Sequence, residues 1–526
     1  MWTLLQSLVQ SYVFLLSIPI FIFWYYEHHK ATNSLFRLPR PSSTLPFLGN
    51  TLDLGKKQRH RLHDWLTDEC VRHAGKPWLM TSLGRPLSIV LTTTSTIEDV
   101  LQTQFETFVK GKISTEIAQD MFGEGIIAVD GEKWLHQRKI SGRLFSSKML
   151  RTTVEYEIIK HVETLIEYVS KACEMQQVID FKSLMEYLTL DVFTKIGFGV
   201  DLDGLKGSAQ YKTFMHAITR APKVLQLRTS EPVWWWKLKK FLDYGNEKEF
   251  RQDIKIINDF IFDIINQSIT KKTTKDADTT LESDSGRKDL IELFLDSAAD
   301  SEIEITPKFI RDMTLTYIAA GKGTTSHSLC WIMVMLNRNP RVLEKIRNEL
   351  HEKLPALIYG TVKTPTRKEL GELIYLEAAI KESLRLNPAA PVNGRVANKD
   401  TILSDGTFVP EGTRAVISSY AIGRMKSIWG DDAAEYKPER WIDFDTGKLI
   451  QVSPFKFTVF HAGPRYCLGA KFAMMEMKMT IASLISRFDL PTLKDPFAIT
   501  YELSLSLPIK GPLMIRPGLT SWVPPE

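Results

Sequence analysis

The first 26 residues carry no charged side chain, and Leu4–Tyr26 is almost continuously apolar. A helix needs about 20 such residues to cross a hydrocarbon layer of ~30 Å, so the run is long enough to span a membrane. It ends in Trp24-Tyr25-Tyr26, side chains suited to the membrane interface, and no Ala-x-Ala cleavage site follows. Lys30, Arg37 and Arg40 come after the run and nothing basic comes before it. The positive-inside rule then puts the rest of the chain in the cytosol. The pattern predicts a retained transmembrane anchor over 1–26 and a basic, proline-rich spacer over 27–50. The three prolines of Leu38–Gly49 favour stiff, extended backbone there.

After the spacer, apolar residues recur mostly at helical spacing. Ile158, Ile159, Val162, Leu165, Ile166 and Val169 share one face, and Ile254–Ile269 is patterned alike. The longest helix is predicted to start at Thr306-Pro307, an N-cap followed by proline, and to run to about Asn337, before Pro340. Its middle, Ala319-Ala-Gly-Lys-Gly-Thr-Thr325, holds two glycines that each cost ~1 kcal/mol against alanine. Close approach of another body, or a kink, should compensate. Strand signals are few: Trp78–Leu83, Leu87–Thr92, Phe408–Ile417 and Leu503–Ile515. Lys271–Lys288 is polar and of low complexity, so it reads as a solvated loop. The predicted class is mainly α with a small β-sheet region, as one large domain over 51–526.

Composition narrows the function. Across 526 residues the net charge is only +5, too mild for nucleic acid as the main partner. The four cysteines, Cys70, Cys173, Cys330 and Cys467, form no CxxC pair, which argues against a disulfide framework or zinc ribbon.

One cysteine stands apart. In Phe460-His-Ala-Gly-Pro-Arg-Tyr-Cys-Leu-Gly469, glycines allow tight turns around Cys467. A helical pattern beginning near Leu468 places the sulfur by a helix N-terminus, where the dipole favours thiolate. Such a thiolate serves as a nucleophile or a metal ligand, and without a zinc-spaced partner set an iron cofactor is the better metal reading. The spacing Phe460-x-x-Gly463-x-Arg465-x-Cys467-x-Gly469 resembles the haem-binding signature of the cytochrome P-450 monooxygenases. Trp134-x-x-x-Arg138, Ala320–Thr325, Glu382-x-x-Arg385 and Pro438-Glu-Arg-Trp441 resemble further motifs of that family, in its order.

The resemblance implies a P-450 fold carrying haem b, with Cys467 as axial ligand of the iron and Phe460, Gly463, Arg465 and Gly469 shaping the loop. It places Arg465, Trp134, Arg138 and Arg395 near the haem propionates. Thr324 is the residue it assigns to proton handling, with Gly321 leaving room for dioxygen. Glu382, Arg385 and Arg440 form a structural network. The acidic residue usual before the threonine is Gly323 here, so the proton route differs, through Thr325, Ser326 or water.

The segments Leu403–Gly412, Tyr420–Gly430 and Phe122–Ile126 are similar to the fatty-acid ω-hydroxylase branch. The expected activity is O2-dependent hydroxylation of an apolar substrate, foremost a fatty acid, with NADPH electrons delivered by a reductase. A terpenoid, sterol or xenobiotic hydroxylase and a hydroperoxide lyase or isomerase are the alternatives. The expected location is the endoplasmic reticulum membrane, facing the cytosol. Lys133, Lys139, Arg143, Lys148 and Lys471 offer a basic face to an acidic reductase. Trp234-Trp235-Trp236-Lys237, with Lys239 and Lys240, reads as an interfacial patch touching membrane lipid, with one tryptophan in the core. Gly111–Gly125 and Tyr211–Val224 are expected near the substrate.

Overall fold

Why these helices form is visible in their caps and faces. A computed structural model describes residues 35–73, 75–145, 153–202, 204, 209–275 and 306–523. The anchor expected over 1–26 lies outside them, as does most of the polar stretch 271–288. Among the described residues no helix is long and apolar enough to cross a membrane.

In chain order the main helices are α1 (Leu62–Arg72), α2 (Lys112–Phe122), α3 (Gly131–Leu144), α4 (Glu155–Glu174), α5 (Phe181–Phe198) and α6 (Ala209–Ser230). They continue with α7 (Val233–Phe241), α8 (Asn246–Lys275), α9 (Pro307–Arg338), α10 (Pro340–Lys353), α11 (Ile374–Leu386) and α12 (Ala470–Ile485). α9 begins where its sequence predicts: Thr306 Oγ1 accepts from Phe309 N at 3.1 Å, and Pro307 fills the first turn. Its midsection packs on α5, and both helices are buried on nearly every face. That explains why neither shows a clean amphipathic stripe. α4 does show one, and Ile158, Val162, Leu165, Ile166 and Val169 are all buried along it.

The sheet is smaller than the strand signals suggest. Five strands, β1 (Trp78–Met80), β2 (Ser88–Leu91), β3 (Phe108–Val109), β4 (Asn393–Ala397) and β5 (Arg414–Ile417), pair in the order β1-β2-β5-β4-β3. Only β2 and β5 run parallel, with Ser88 opposite Arg414. Phe408–Val409 and Arg414–Ile417 belong to different sheets, separated by the Pro410-Glu-Gly412 turn. Of Leu503–Ile515, only Met514–Ile515 is a strand, and Ile509 makes a single bridge to Tyr501.

The proline-rich stretch is not extended over its described part. It opens with a 3₁₀ turn at Leu35–Arg37, bridges Leu45 to Gly49, and attaches to β1 through Leu79 N donating to Pro39 O at 2.9 Å. The prolines end helices here without straightening the chain, because β1 offers hydrogen bonds that an isolated spacer lacks.

One stripe of α12 is polar and buried. Glu476, Thr480 and Ser483 are each fully buried, and their side-chain oxygens meet no partner among the described residues. Burial pushes the Glu476 carboxyl up to about 8. A raised carboxyl pKa costs nothing while both states are protonated. The penalty grows once the unfolded chain ionises, above ~4.3, and is complete only above the folded value. Stability should therefore fall as pH rises from ~4.3 towards 8. Glu476→Gln should remove that fall, so thermal melts of the two proteins should diverge across this window. Parallel melting curves would refute the assignment.

Candidate active site

The cysteine loop is built back from α12, which has Gly469 at its N-cap; Ala473 N donates to Gly469 O at 2.8 Å. Cys467 N donates to Phe460 O at 2.8 Å and Tyr466 N to Gly463 O at 3.0 Å, closing the loop on itself. His461 and Gly463 adopt φ of 63° and 62°. At 463 only glycine fits, because a Cβ would run into the carbonyl oxygen of Leu101.

Cys467 opens into a cavity of ≈ 400 Å³. The opposite wall is α9, which contributes Tyr317, Ala320, Gly321, Thr324, Thr325 and Ser328. Desolvation raises the Cys467 thiol above its ordinary value, while the Gly469 N–H and the Arg138 guanidinium pull it back. The Gly469 N–H at the helix start favours the thiolate, in the direction the sequence predicts, while burial opposes it; a metal bonded to sulfur would favour the thiolate further. Cys70 and Cys330 are buried among apolar side chains with thiols pushed up by desolvation, which suits inert structural residues. No group of three or more His, Cys, Asp or Glu among the described residues could hold a bare ion. Iron carried by its own macrocycle fits that donor set.

The side of the cavity formed by Lys110, Trp134, Arg138, Arg395, His461 and Arg465 is cationic. Arg465 lies 4.4 Å over the Trp134 ring and donates to Val129 O at 3.3 Å and to Asp130. Arg138 donates to Tyr466 O, and Arg395 Nη2 lies 3.2 Å from His461 Nε2. Asp130 is the carboxylate paired with this group, and it also accepts from Lys110 N at 2.8 Å. One carboxylate does not balance the four cations. Burial first, then Arg395 and Arg465, depress the Lys110 ammonium well below the lysine range. Arg465 is pulled down to about 10 by burial and by Arg395. His461 is pulled down to about 4 by burial and Arg395, so it is neutral at pH 7. Two carboxylates arriving on a ligand would relieve this strain, and the haem propionates meet that requirement. Lys110 and His461 lie in the same cluster as the residues predicted for the propionates. Nothing local marks Lys110 in the sequence; the turn from β3 into α2 brings it in.

On α9, glycine at 321 has a visible cause: a Cβ there would lie 2.5 Å from the Phe193 ring of α5. The expected close approach is that ring, and Gly321 also lines the cavity. Gly323 is sterically open, with only His327 within 3.9 Å of a Cβ. Thr324 Oγ1 donates to Ala320 O at 2.6 Å, and Thr325 lines the cavity beside it. Ser326 faces away and donates to Lys322 O at 2.7 Å. Among the described residues no Asp or Glu lines the cavity. The nearest charges on this stretch of helix lie on its α5 side, where Lys322 Nζ donates to Glu186 Oε2 at 3.0 Å.

The remaining sites divide cleanly. Glu382 and Arg385 are fully buried and joined by two 2.7 Å bonds, with Arg440 Nε donating to Glu382 at 2.7 Å. None of the three lines the cavity. Of the two expected substrate segments, only the residues just after the first, Ile126 and Ile127, line it; Tyr211–Val224 does not. The tryptophan patch splits: Trp234 and Trp235 are 56% and 40% exposed, while Trp236 is 2% exposed beneath Arg228. Its cations do not snorkel. Lys239 is buried on Glu231 at 2.7 Å, and Lys237 and Lys240 pair with Glu116 and Asp120. Lys133 is tied to Glu124 at 2.9 Å, Lys139 and Lys471 are exposed, and Lys148 and the Arg143 side chain lie outside the described residues.

Comparison with known proteins agrees with this geometry. The Cytochrome P450 family model matches residues 39–515. Cytochrome P450 94A1 of Vicia sativa is 32% identical over 462 residues, covering 87% of this chain and 85% of its own length. Cytochrome P450 86B1 of Arabidopsis thaliana is 31% identical over 486 residues, covering 90% and 84%. Cytochrome P450 704C1 of Pinus taeda is 32% identical over 464 residues, covering 85% and 87%. A cysteine opening into a cavity beside an under-neutralised cation cluster, in a mainly helical chain that the family model matches over residues 39–515, makes this chain a member of the cytochrome P450 family and a haem-thiolate monooxygenase.

Proposed function

We propose that the chain hydroxylates a fatty acid at or near its terminal carbon, from an anchor in the endoplasmic reticulum membrane, with NADPH electrons arriving through a reductase. The observation that carries this reading is the cavity above Cys467, whose lining includes the apolar side chains of Ile126, Ile127, Phe145, Phe193, Leu384, Val459 and Phe472, with the hydroxyls of Thr324, Thr325 and Ser328 on its α9 wall and no carboxylate among the described residues. The apolar lining suits a saturated chain. The three segments similar to the ω-hydroxylase branch support the same class. Exposed Lys139, Lys471 and Arg367 support a basic docking face for the reductase.

Haem, when bound, supplies dioxygen activation and the transfer of one oxygen atom to a C–H bond, the other leaving as water. The rest belongs to the chain. Cys467 would ligate the group, and Arg138, Arg395, Arg465, Lys110 and Trp134, which line the cationic side of the cavity, would hold its carboxylates. The apolar walls exclude water and orient the alkyl end, which decides which C–H bond is reached. With glycine at 323, the cavity face of α9 offers the hydroxyls of Thr324, Thr325 and Ser328 for proton handling, alone or with water. Thr324 Oγ1 donates its hydrogen bond to Ala320 O.

Incubating anchored enzyme and reductase with C12–C18 acids, and resolving positional isomers by mass spectrometry, tests the reading. Hydroxylation confined to the distal carbons is expected; no product from any acid sinks it. In the same assay, Thr324→Ala should keep haem content and NADPH consumption but release several-fold more peroxide per NADPH, general acid–base help being worth about 10²-fold or more. Unchanged coupling would remove Thr324 from the proton path.

A further inference from the structure

Between α5 and α9 lies a buried polar cluster that an ion pair only half explains. Glu186 of α5 and Lys322 and His327 of α9 are all buried, and none of the three lines the cavity. Lys322 Nζ donates to Glu186 Oε2 at 3.0 Å and to Thr219 Oγ1 of α6 at 3.0 Å. The other carboxylate oxygen, Oε1, and both ring nitrogens of His327 are sealed and meet no hydrogen-bond partner among the described residues. His327 Nε2 lies 3.8 Å from Glu186 Oε1, too far for a direct hydrogen bond. Burial pushes the Glu186 carboxyl up, but Lys322 and His327 outweigh it and keep it ionised. Burial, aided by Lys322 and Lys182, lowers the His327 imidazolium against the pull of Glu186, so the ring is neutral at pH 7. An imidazole with two unpartnered nitrogens is costly to bury, and an apolar side chain would fill the place at less cost.

The position of the ring suggests what it is for. His327 follows Gly323 by one turn and lies about 60° round the helix from Thr324. A Cβ at 323 would meet only His327 Cε1, at 3.9 Å, so the missing side chain leaves space beside the imidazole. Gly321 is accounted for by the Phe193 ring, whereas no neighbour demands glycine at 323. Buried polar atoms without a protein partner bind ordered water, and two ring nitrogens and a carboxylate oxygen supply the partners that a water needs. The far end of the cluster reaches solvent, since Thr219 is half-buried and its neighbour Arg220 exposed. Thr219, Lys322, Glu186 and His327 thus form a chain of polar groups from the surface of α6 towards the hydroxyl-bearing wall of the cavity.

We propose that Glu186 and His327 position the protons that the α9 hydroxyls deliver, through a water seated over Gly323, in place of an acid on the helix itself. The inference rests on the monooxygenase assignment and is independent of the substrate class. Each turnover sends one oxygen atom into water and so consumes protons. A proton leaves one ring nitrogen of His327 for the water as another reaches the second nitrogen from Glu186. Lys322 replaces the proton that Glu186 gives, and solvent at Thr219 recharges Lys322. Only protons move, and the ring ends as neutral as it began.

The test uses full-length holoenzyme with its reductase and dodecanoic acid. His327→Phe keeps an aromatic ring and removes both nitrogens. NADPH consumption should fall about 10- to 100-fold, up to the lower end of general acid–base contributions, and should slow further in D2O than the wild type does. Haem content and melting temperature should stay near wild type. Adding Gly323→Asp, which the open space accepts, should restore consumption by placing an acid on the helix; a ring that merely packs would not be rescued this way. If His327→Phe loses haem, His327→Gln, which keeps a donor and an acceptor but takes up no proton, carries the same comparison. Deuterium exchange at the His327 imidazole carbon, read by mass spectrometry without substrate or NADPH, should proceed despite burial because water reaches the ring. A ring that does not exchange, wild-type consumption in His327→Phe, or a loss that Gly323→Asp leaves unrestored overturns the relay. A wild type that consumes NADPH without hydroxylating dodecanoic acid counts against the fatty-acid reading and leaves these comparisons standing.

Discussion

Cys467→Ser is expected to abolish monooxygenation while leaving a folded, helical protein. Removing an outer-shell partner of a metal ligand costs 10- to 100-fold, so loss of the ligand itself should exceed roughly a hundredfold in turnover. The residue does little for folding. Its backbone N–H holds the loop to Phe460 O and survives the change, and its side chain opens into the cavity and does not pack in the core. Serine also lacks the sulfur that pushes electron density onto iron. The reduced, carbon-monoxide-bound spectrum, circular dichroism and haem content should be read together: native helicity, an altered spectrum and no product. Matching changes at Cys70 and Cys330, whose thiols burial keeps protonated, should leave turnover near wild type. Wild-type turnover in Cys467→Ser would defeat the assignment of the whole site.

The cysteine loop was readable because its demands are local. The left-handed turn at Gly463 and the start of α12 both impose residue types within ten positions. α9 was legible for the same reason, through Thr306-Pro307. What escaped depends on contacts between distant segments. Lys110 enters the cation cluster only because β3 pairs with β4, which carries Arg395. Gly321 reads as space for a ligand until α5 brings the Phe193 ring against it. The proline-rich stretch reads as a spacer until β1 supplies its hydrogen bonds. For Cys467 the sequence carries the helix start, whose Gly469 N–H favours the thiolate, but not the desolvation that opposes it.

Glu382→Ala should prevent accumulation of folded holoenzyme, and the reason lies in what the carboxylate holds. Its two oxygens accept from Arg385 Nε and Nη2 and Arg440 Nε at 2.7 Å, and from Lys437 N and Trp441 Nε1 at 2.9 Å. Arg385 spends its other N–H groups on the carbonyls of Gly423, Ala433 and Glu435, stitching α11 to the segment before the cysteine loop. Removing the carboxylate leaves one guanidinium fully buried and another nearly so, with no counter-charge between them but Asp432, which is bound to Arg440 at 3.0 Å. Breaking a buried pair this way costs roughly 3–5 kcal/mol, a large part of a domain's stability of about 5–15 kcal/mol. The damage reaches the haem loop through packing, since Trp441 meets Phe457 edge to face at 4.8 Å and Phe457 meets Phe460 likewise at 6.4 Å. An alternative is that Glu382 acts in chemistry, and a second variant separates the two. Glu382→Leu combined with Arg385→Leu removes both buried charges, and should recover part of the lost stability and haem uptake, because replacing a buried pair by apolar residues is far less costly than orphaning one partner. Recovery will be incomplete, since the carbonyls that Arg385 satisfied stay unpaired. Haem content and urea midpoints measured on both variants decide the matter: a double variant no better than Glu382→Ala would mean that the pair's value is not the burial of opposite charges, and a Glu382→Ala protein that binds haem normally but turns nothing over would move the residue from scaffold to chemistry.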